Sequence, residues 1–112
     1  MKKEKETSIN QNEERKKVDY VFDEGKYLKE IWDAIDSTYI SHYAQNKIQS
    51  TEFIADAGHG EGFCIGNIIM YAQRFGKTGG FNRNDLTKVV HYVIIMLYLH
   101  DNFYQRELEN KK

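Results

Sequence analysis

Residues 62–80 read GFCIGNIIMYAQRFGKTGG, a stretch that predicts a helix followed by a glycine-rich turn. Apolar residues recur at helical spacing over residues 62–75, and the next glycine ends the pattern. At about 100° per residue, Asn67, Tyr71 and Arg74 share one side of this helix. The other side is apolar and is expected to face the core. Its residues are Ile65, Ile68, Ile69, Ala72 and Phe75.

The triplet Gly76-Lys77-Thr78 invites comparison with the phosphate-binding loop of nucleotide hydrolases, but the match fails. That loop needs a further glycine five residues before the glycine of the triplet, and Tyr71 occupies this position. The loop also leaves a strand and opens a helix, whereas this triplet follows a helix. We therefore expect the triplet to end the helix and to bring Lys77 beside Arg74.

The rest of the chain is typical of one small helical domain. With 112 residues, 40% of them hydrophobic, the chain suits a single domain over residues 18–112. Residues 1–17 carry mixed charges and one large apolar residue, and are expected to form a flexible charged tail. The expected fold is mostly α, a compact bundle of about four helices at residues 23–36, 50–58, 62–75 and 84–105. A glycine-rich loop at 58–62 and a short extended piece near 39–43 are expected between them.

Composition also limits location and partners. The single cysteine, Cys64, cannot form an internal disulfide, which favours a reducing cytoplasm. A net charge of -1 gives no general attraction for long nucleic acids. The most apolar stretch, residues 89–99, has half the length of a membrane span, so no membrane association is expected.

The last helix is apolar on more than one side, which predicts a partner. Its expected inner stripe leaves further apolar residues, such as Ile95 and Leu99, on other sides. We expect a homo-oligomer formed through this helix; the alternative is a monomer in which the first helix covers it. The expected inner stripe consists of Leu86, Val90, Val93, Ile94 and Leu97.

Several segments between residues 41 and 100 resemble a family of small tailed-phage proteins of unknown function. The resemblance implies a phage origin and a helical module that handles nucleotides, and one member of that family is a nucleoside monophosphate kinase without a phosphate loop. The matching segments are Ser41-His42-Tyr43, Lys47-Ile48, Glu52-Phe53-Ile54, Gly66-Asn67-Ile68-Ile69 with Tyr71, Arg74 and Lys77, and Asp85-Leu86 with Lys88 and Tyr92.

Together with this resemblance, residue chemistry suggests a set of ligand-binding residues. Arg74 can grip a phosphate with two parallel hydrogen bonds, and Lys77 can add a point charge. Tyrosine rings offer faces on which a base can stack. The structural alternative is that Arg74 pairs with Asp85 or Glu61 and that the tyrosines are packing residues. The candidate set is His42, Tyr43, Asn67, Tyr71, Arg74, Lys77, Lys88 and Tyr92.

One of two departures from the family pattern favours binding over catalysis. The family has a lysine at the position of Met70 and a proline at the position of Ser41. Phosphoryl transfer depends on positioning and charge neutralisation, so the missing lysine weakens a kinase interpretation more than a binding one. We therefore expect a protein that sequesters a nucleotide, such as a cyclic dinucleotide signal of host anti-phage defence, without catalytic residues, metal or cofactor.

Two alternatives remain open. One is a nucleoside monophosphate kinase that uses ATP and magnesium, with Arg74, Lys77 and Lys88 on the phosphates. The other is an interaction module whose last helix docks on a host protein, the basic residues being solvated surface.

Overall fold

The computed structural model describes residues 18–77 and 79–104, without the side chains of residues 42–44, 103 and 104. The predicted tail at residues 1–17 and the predicted helix end near residue 105 lie outside this range. Within it, the mostly α fold with four α-helices is confirmed, and the only β pairing is an isolated bridge between Lys77 and Gly80. The elements are α1 Glu24–Ile40, α2 His42–Asp56, α3 Gly60–Arg74, α4 Arg83–Leu99 and a π-helical segment His100–Tyr104.

These elements fall into two units. The first is Met1–Trp32, whose described part includes the start of α1, and the second is Asp33–Lys112, which includes the end of α1 and the remaining helices. In the second unit α3 packs most extensively against α4, and α2 packs against α3. The candidate site lies entirely within this second unit.

Helix α2 is longer than the sequence pattern predicts. It begins at His42, so the short extended piece expected near residues 39–43 is wrong, and α1 and α2 together occupy that segment. The expected helix start at Ser50-Thr51 is wrong for the same reason. The hydroxyl of Thr51 donates to the carbonyl oxygen of Lys47 at 2.8 Å. A threonine inside a helix can satisfy its hydroxyl on the preceding turn, so this residue need not mark a helix start.

Helix α3 begins inside the predicted glycine-rich loop. Gly60 is its first residue and is buried. A Cβ atom at Gly60 would lie 2.8 Å from Cδ1 of Leu99 and 3.3 Å from Cα of Ala55. This glycine therefore allows three chain segments to approach closely, and the expectation of a loop at this position is wrong.

Helices α3 and α4 are antiparallel. The start of α3 lies beside the end of α4 at Gly60 and Leu99, and the end of α3 lies beside the start of α4 at Arg74 and Asp85. In the connection, Gly76 has φ +83° and its amide donates to the carbonyl oxygen of Gly80 at 2.9 Å. The predicted helix end before this glycine is confirmed, and Thr78 lies outside the described residues.

The predicted inner face of α3 is wrong. Cys64 is fully buried and Tyr71 is 6% exposed, whereas Ile65 and Ile69 are 41% and 59% exposed. The same inversion holds for α4, where Asp85 and Leu99 are buried and the expected inner stripe is largely exposed. The exposed members of that stripe are Leu86, Val93, Ile94 and Leu97.

The packing of rings and small residues explains this inversion. Two large tyrosine rings bury more surface than aliphatic side chains do, and Cys64 and Gly60 allow α3 to approach α4 closely. The exposed aliphatic residues lie about 100–150° round each helix from the buried stripe, and in an antiparallel pair these sectors fall on the same side. We call this side the aliphatic face. It consists of Ile65, Ile69, Leu86, Val93 and Leu97.

Candidate functional site

Two predicted site residues, Tyr71 and Tyr92, stack on each other between α3 and α4. Their ring centroids are 6.2 Å apart at an interplanar angle of 17°. Phe63 meets Tyr92 edge-on at 5.9 Å, and Nζ of Lys88 lies 5.4 Å from the ring centroid of Tyr71. These rings form the packing between the two helices, and the face that each tyrosine turns to the other is closed to a base.

Arg74 has the ionic partner that the structural alternative predicted. Its Nε lies 3.8 Å from Oδ1 of Asp85, and the Arg74 side chain is 47% exposed whereas that of Asp85 is 4% exposed. The other carboxylate oxygen, Oδ2 of Asp85, is buried and has no hydrogen-bond partner within the described part of the chain. Asp85 therefore holds the Arg74 guanidinium at the surface, beside the start of α4.

Asp85 does not cap α4, although it lies at the start predicted for this helix. The N-cap is Asn82, whose Oδ1 accepts a hydrogen bond from the amide of Asn84 at 2.9 Å. Asparagine is a favoured N-cap because its side-chain oxygen satisfies one of the unpaired amides of the first turn. The cap thus lies two residues before the predicted helix start at residue 84, and Asp85 is in the first turn of the helix.

The remaining predicted residues are dispersed. Nδ2 of Asn67 donates to the carbonyl oxygen of Phe63 at 2.8 Å, within its own helix. Lys77 is exposed in the turn after α3. His42 and Tyr43 belong to α2, but their side chains lie outside the described residues.

A groove of about 110 Å³ opens between α2 and α4, with the end of α1 at its edge. It contains Lys88 and Tyr92 from the predicted set, and it adds Lys47 and Thr51 from α2 and His91 from α4. None of the described residues that line it is acidic, although the whole chain carries a net charge of -1. The full lining is Thr38, Lys47, Ile48, Thr51, Lys88, His91, Tyr92 and Ile95.

Burial and charge shift the pKa values of two groove residues. Burial lowers the pKa of His91 below its ordinary value of 6.5, and the nearby charge of Lys88 lowers it further. Burial also raises the pKa of the Tyr92 hydroxyl, with smaller contributions from Tyr71 and Cys64. His91 is therefore mostly neutral at pH 7 and Tyr92 keeps its proton, so Lys47 and Lys88 supply the positive charge of the groove.

Sequence reasoning missed Thr38, Lys47, Thr51 and His91 as a group. A local signal existed in each helix, because Lys47 and Thr51 are four residues apart and Lys88 and His91 are three apart, so each pair shares one helix side. What the sequence lacks is any indication that these two sides face each other. Lys47 lies within a segment that carries the family resemblance, but that resemblance implies no role for its charge.

A family model described as "Protein of unknown function (DUF3310)" matches residues 37–94, a little over half of the chain. The chain belongs to the DUF3310 family. No curated protein and no solved structure matches it. The matched range of this DUF3310 protein contains every residue that lines the groove except Ile95, which follows it directly.

Three further findings concern the described residues of this DUF3310 protein. A shallower depression of about 160 Å³ on α2 is lined by Gln49, Glu52, Phe53 and Asp56, and is acidic. Among the described residues, no three histidine, cysteine, aspartate or glutamate side chains are grouped so that they could hold a metal ion. None of the helices in that part of the chain is long and apolar enough to cross a membrane.

Proposed function

We propose that this DUF3310 protein binds and sequesters a nucleotide, whose phosphate lies in the groove between α2 and α4. The observation that carries the proposal is the convergence of Lys47 and Lys88 from two helices on a groove without an acidic lining residue. Two ammonium groups are suitable donors for phosphate oxygens. Each hydrogen bond to a charged group contributes about 1.5–3 kcal/mol when it is shielded from water.

The size of the groove determines which part of a nucleotide it takes. Pockets that enclose a whole drug-sized ligand measure roughly 300–1,000 Å³, and this groove measures about 110 Å³. It suits a phosphate with part of the sugar, and the base lies outside it. Because Tyr71 is buried against Tyr92, the base stacks on neither of their joined faces, and in our proposal it contacts the exposed side of α2 or a second subunit.

The family resemblance supports a nucleotide over other phosphate-bearing ligands. Several segments of the chain resemble small tailed-phage proteins, one of which is a monophosphate kinase, so we propose a phage protein that acts in the cytoplasm of the host. In this proposal the protein holds its ligand without converting it. Such a protein can remove a signal, such as a cyclic dinucleotide of host anti-phage defence. Arg74 and Lys77 are peripheral in this proposal, because Arg74 is paired with Asp85 and Lys77 lies in the turn beyond α3.

Self-association through α4 is part of the proposal. The five residues of the aliphatic face are 41–62% exposed, and covering them with a second copy contributes together roughly 5 kcal/mol before the cost of association. The same face fits the alternative of a host-protein interaction module, which its exposure also favours. Self-association and docking on a host protein are distinguished by measuring whether the purified protein forms oligomers.

Calorimetric titration of the protein against a panel of linear and cyclic nucleotides tests the proposed function. We expect at least one nucleotide to bind with a Kd in the micromolar range, about 8 kcal/mol of binding free energy. If no nucleotide binds more tightly than about 1 mM, the proposal fails. Incubation with ATP, magnesium and each deoxynucleoside monophosphate tests the kinase alternative in parallel, and formation of a diphosphate would replace sequestration by phosphoryl transfer.

A further inference from the structure

We propose that the groove between α2 and α4 is a proton-coupled anion site, in which a bound phosphate or sulfate group causes His91 to take up a proton. The inference deepens the proposed function by adding a third, conditional positive charge to the same groove. It requires only that a tetrahedral anion enters the groove, so it can hold or fail independently of which nucleotide binds.

Among the described residues, the charged side chains that line the groove around His91 are all of one sign. Lys88 lies one helical turn before it on α4, and Lys47 reaches the groove from α2. The end of α1 contributes Thr38, which carries no charge, and Tyr92 keeps its proton because burial raises its pKa. Among the described residues, no acidic side chain lines the groove. A protonated imidazole is therefore opposed by Lys88 and favoured by no carboxylate of that lining.

This arrangement explains why the free protein holds His91 in its neutral form. Burial disfavours the imidazolium, and the charge of Lys88 adds to that effect, so the pKa of His91 is lowered. An anion between the lysines offsets the repulsion between Lys88 and the protonated imidazole. The anion also attracts that imidazole directly. A negative charge within about 5 Å in a medium of effective dielectric constant near 20 raises a pKa by more than one unit.

The linkage has a definite sign. Because the pKa of His91 is lower in the free protein than in the complex, the complex binds more protons between those two values, and affinity increases as pH falls through that window. A shift of one unit gives at most about a tenfold increase in affinity. Above the higher of the two pKa values, His91 is neutral in both states and the dependence disappears.

The direct measurement is an NMR titration of the histidine rings in sodium sulfate and in sodium chloride at equal ionic strength. Sulfate resembles phosphate but does not titrate near neutral pH, so every change reports on the protein. His91→Gln identifies the His91 signal. We expect its pKa to lie below 6.5 in chloride and to rise by more than one unit in sulfate. His59, an exposed residue directly before α3, provides the control variant His59→Gln.

Three results are decisive. A sulfate-dependent rise at His91 that disappears in the Lys47→Ala/Lys88→Ala variant supports the proposal, even if the nucleotide panel shows no binding and the proposed function fails. An unchanged His91 pKa in sulfate overturns it, even if a nucleotide binds elsewhere. A nucleotide whose affinity is equally pH-dependent in wild type, His91→Gln and His59→Gln also overturns it, because His91 then takes up no proton.

Discussion

At the residue scale, Asp85 is the one residue in the described part of the chain with a buried side-chain oxygen that has no hydrogen-bond partner. Its carboxylate is buried, one oxygen lies 3.8 Å from Nε of Arg74, and the other has no partner there. A buried charge that has lost its counter-ion costs more than the same pair contributes when intact. The stability of the α3–α4 pair therefore depends on Arg74, although half of that side chain is in solvent.

A double-mutant cycle measures this dependence. We expect Arg74→Ala to lower the free energy of unfolding by about 1–2 kcal/mol, because it leaves the buried carboxylate of Asp85 unpaired. In an Asp85→Asn background the same substitution should cost less than about 0.5 kcal/mol, since no charge remains to be compensated. Urea unfolding gives both values, and equal costs in the two backgrounds would show that the ion pair contributes nothing.

Cys64 permits a second prediction at this scale. The thiol is fully buried, and burial raises its pKa, which reduces the thiolate that reacts with disulfide reagents. We expect labelling by such a reagent in buffer to be at least about a hundredfold slower than in urea. Ser50→Cys in a Cys64→Ala background places a thiol at an exposed position of α2 and should react at the same rate in both conditions. Rapid labelling of Cys64 in buffer would contradict the described packing.

At the element scale, the sequence predicted helices well and their orientation poorly. Apolar periodicity and glycine positions define both ends of α3 and the start of α4 to within two residues, because these signals are local. Which side of a helix is buried depends on the partner helix, and here the stacked Tyr71 and Tyr92 displace the aliphatic residues from the interior. The groove was missed for a related reason: Lys47 and Lys88 are forty-one residues apart in a sequence that gives no sign of their proximity.

The glycines of α3 give a matched test of the helix packing. Gly60→Ala places a Cβ 2.8 Å from Leu99 and 3.3 Å from the Ala55 backbone, so we expect a loss of about 1–3 kcal/mol in unfolding free energy. Gly66→Ala meets nothing within 4 Å and should increase stability by about 0.5–1 kcal/mol, because alanine favours a helix interior more than glycine does. If both variants are stabilised, α3 does not approach α4 as described.

At the scale of the whole molecule, the aliphatic face predicts self-association. Leu97, on the aliphatic face near the end of α4, is 62% exposed. We expect Leu97→Glu to convert an oligomer to a monomer, because a buried carboxylate at the interface has no partner. Phe53→Glu alters a residue of α2 that is 77% exposed and should leave the mass unchanged. Light scattering coupled to size-exclusion chromatography gives the masses, and a monomeric wild type would assign the face to another partner.

The central claim is that Lys47 and Lys88 together hold the phosphate of a nucleotide. The most direct test is calorimetric titration of one nucleotide from the panel into wild type, Lys47→Ala/Lys88→Ala and the control Lys29→Ala, whose lysine is exposed on α1. We expect the double variant to bind about a hundredfold more weakly, roughly tenfold for each lysine, and the control to bind like wild type. Equal affinity in all three proteins would contradict it.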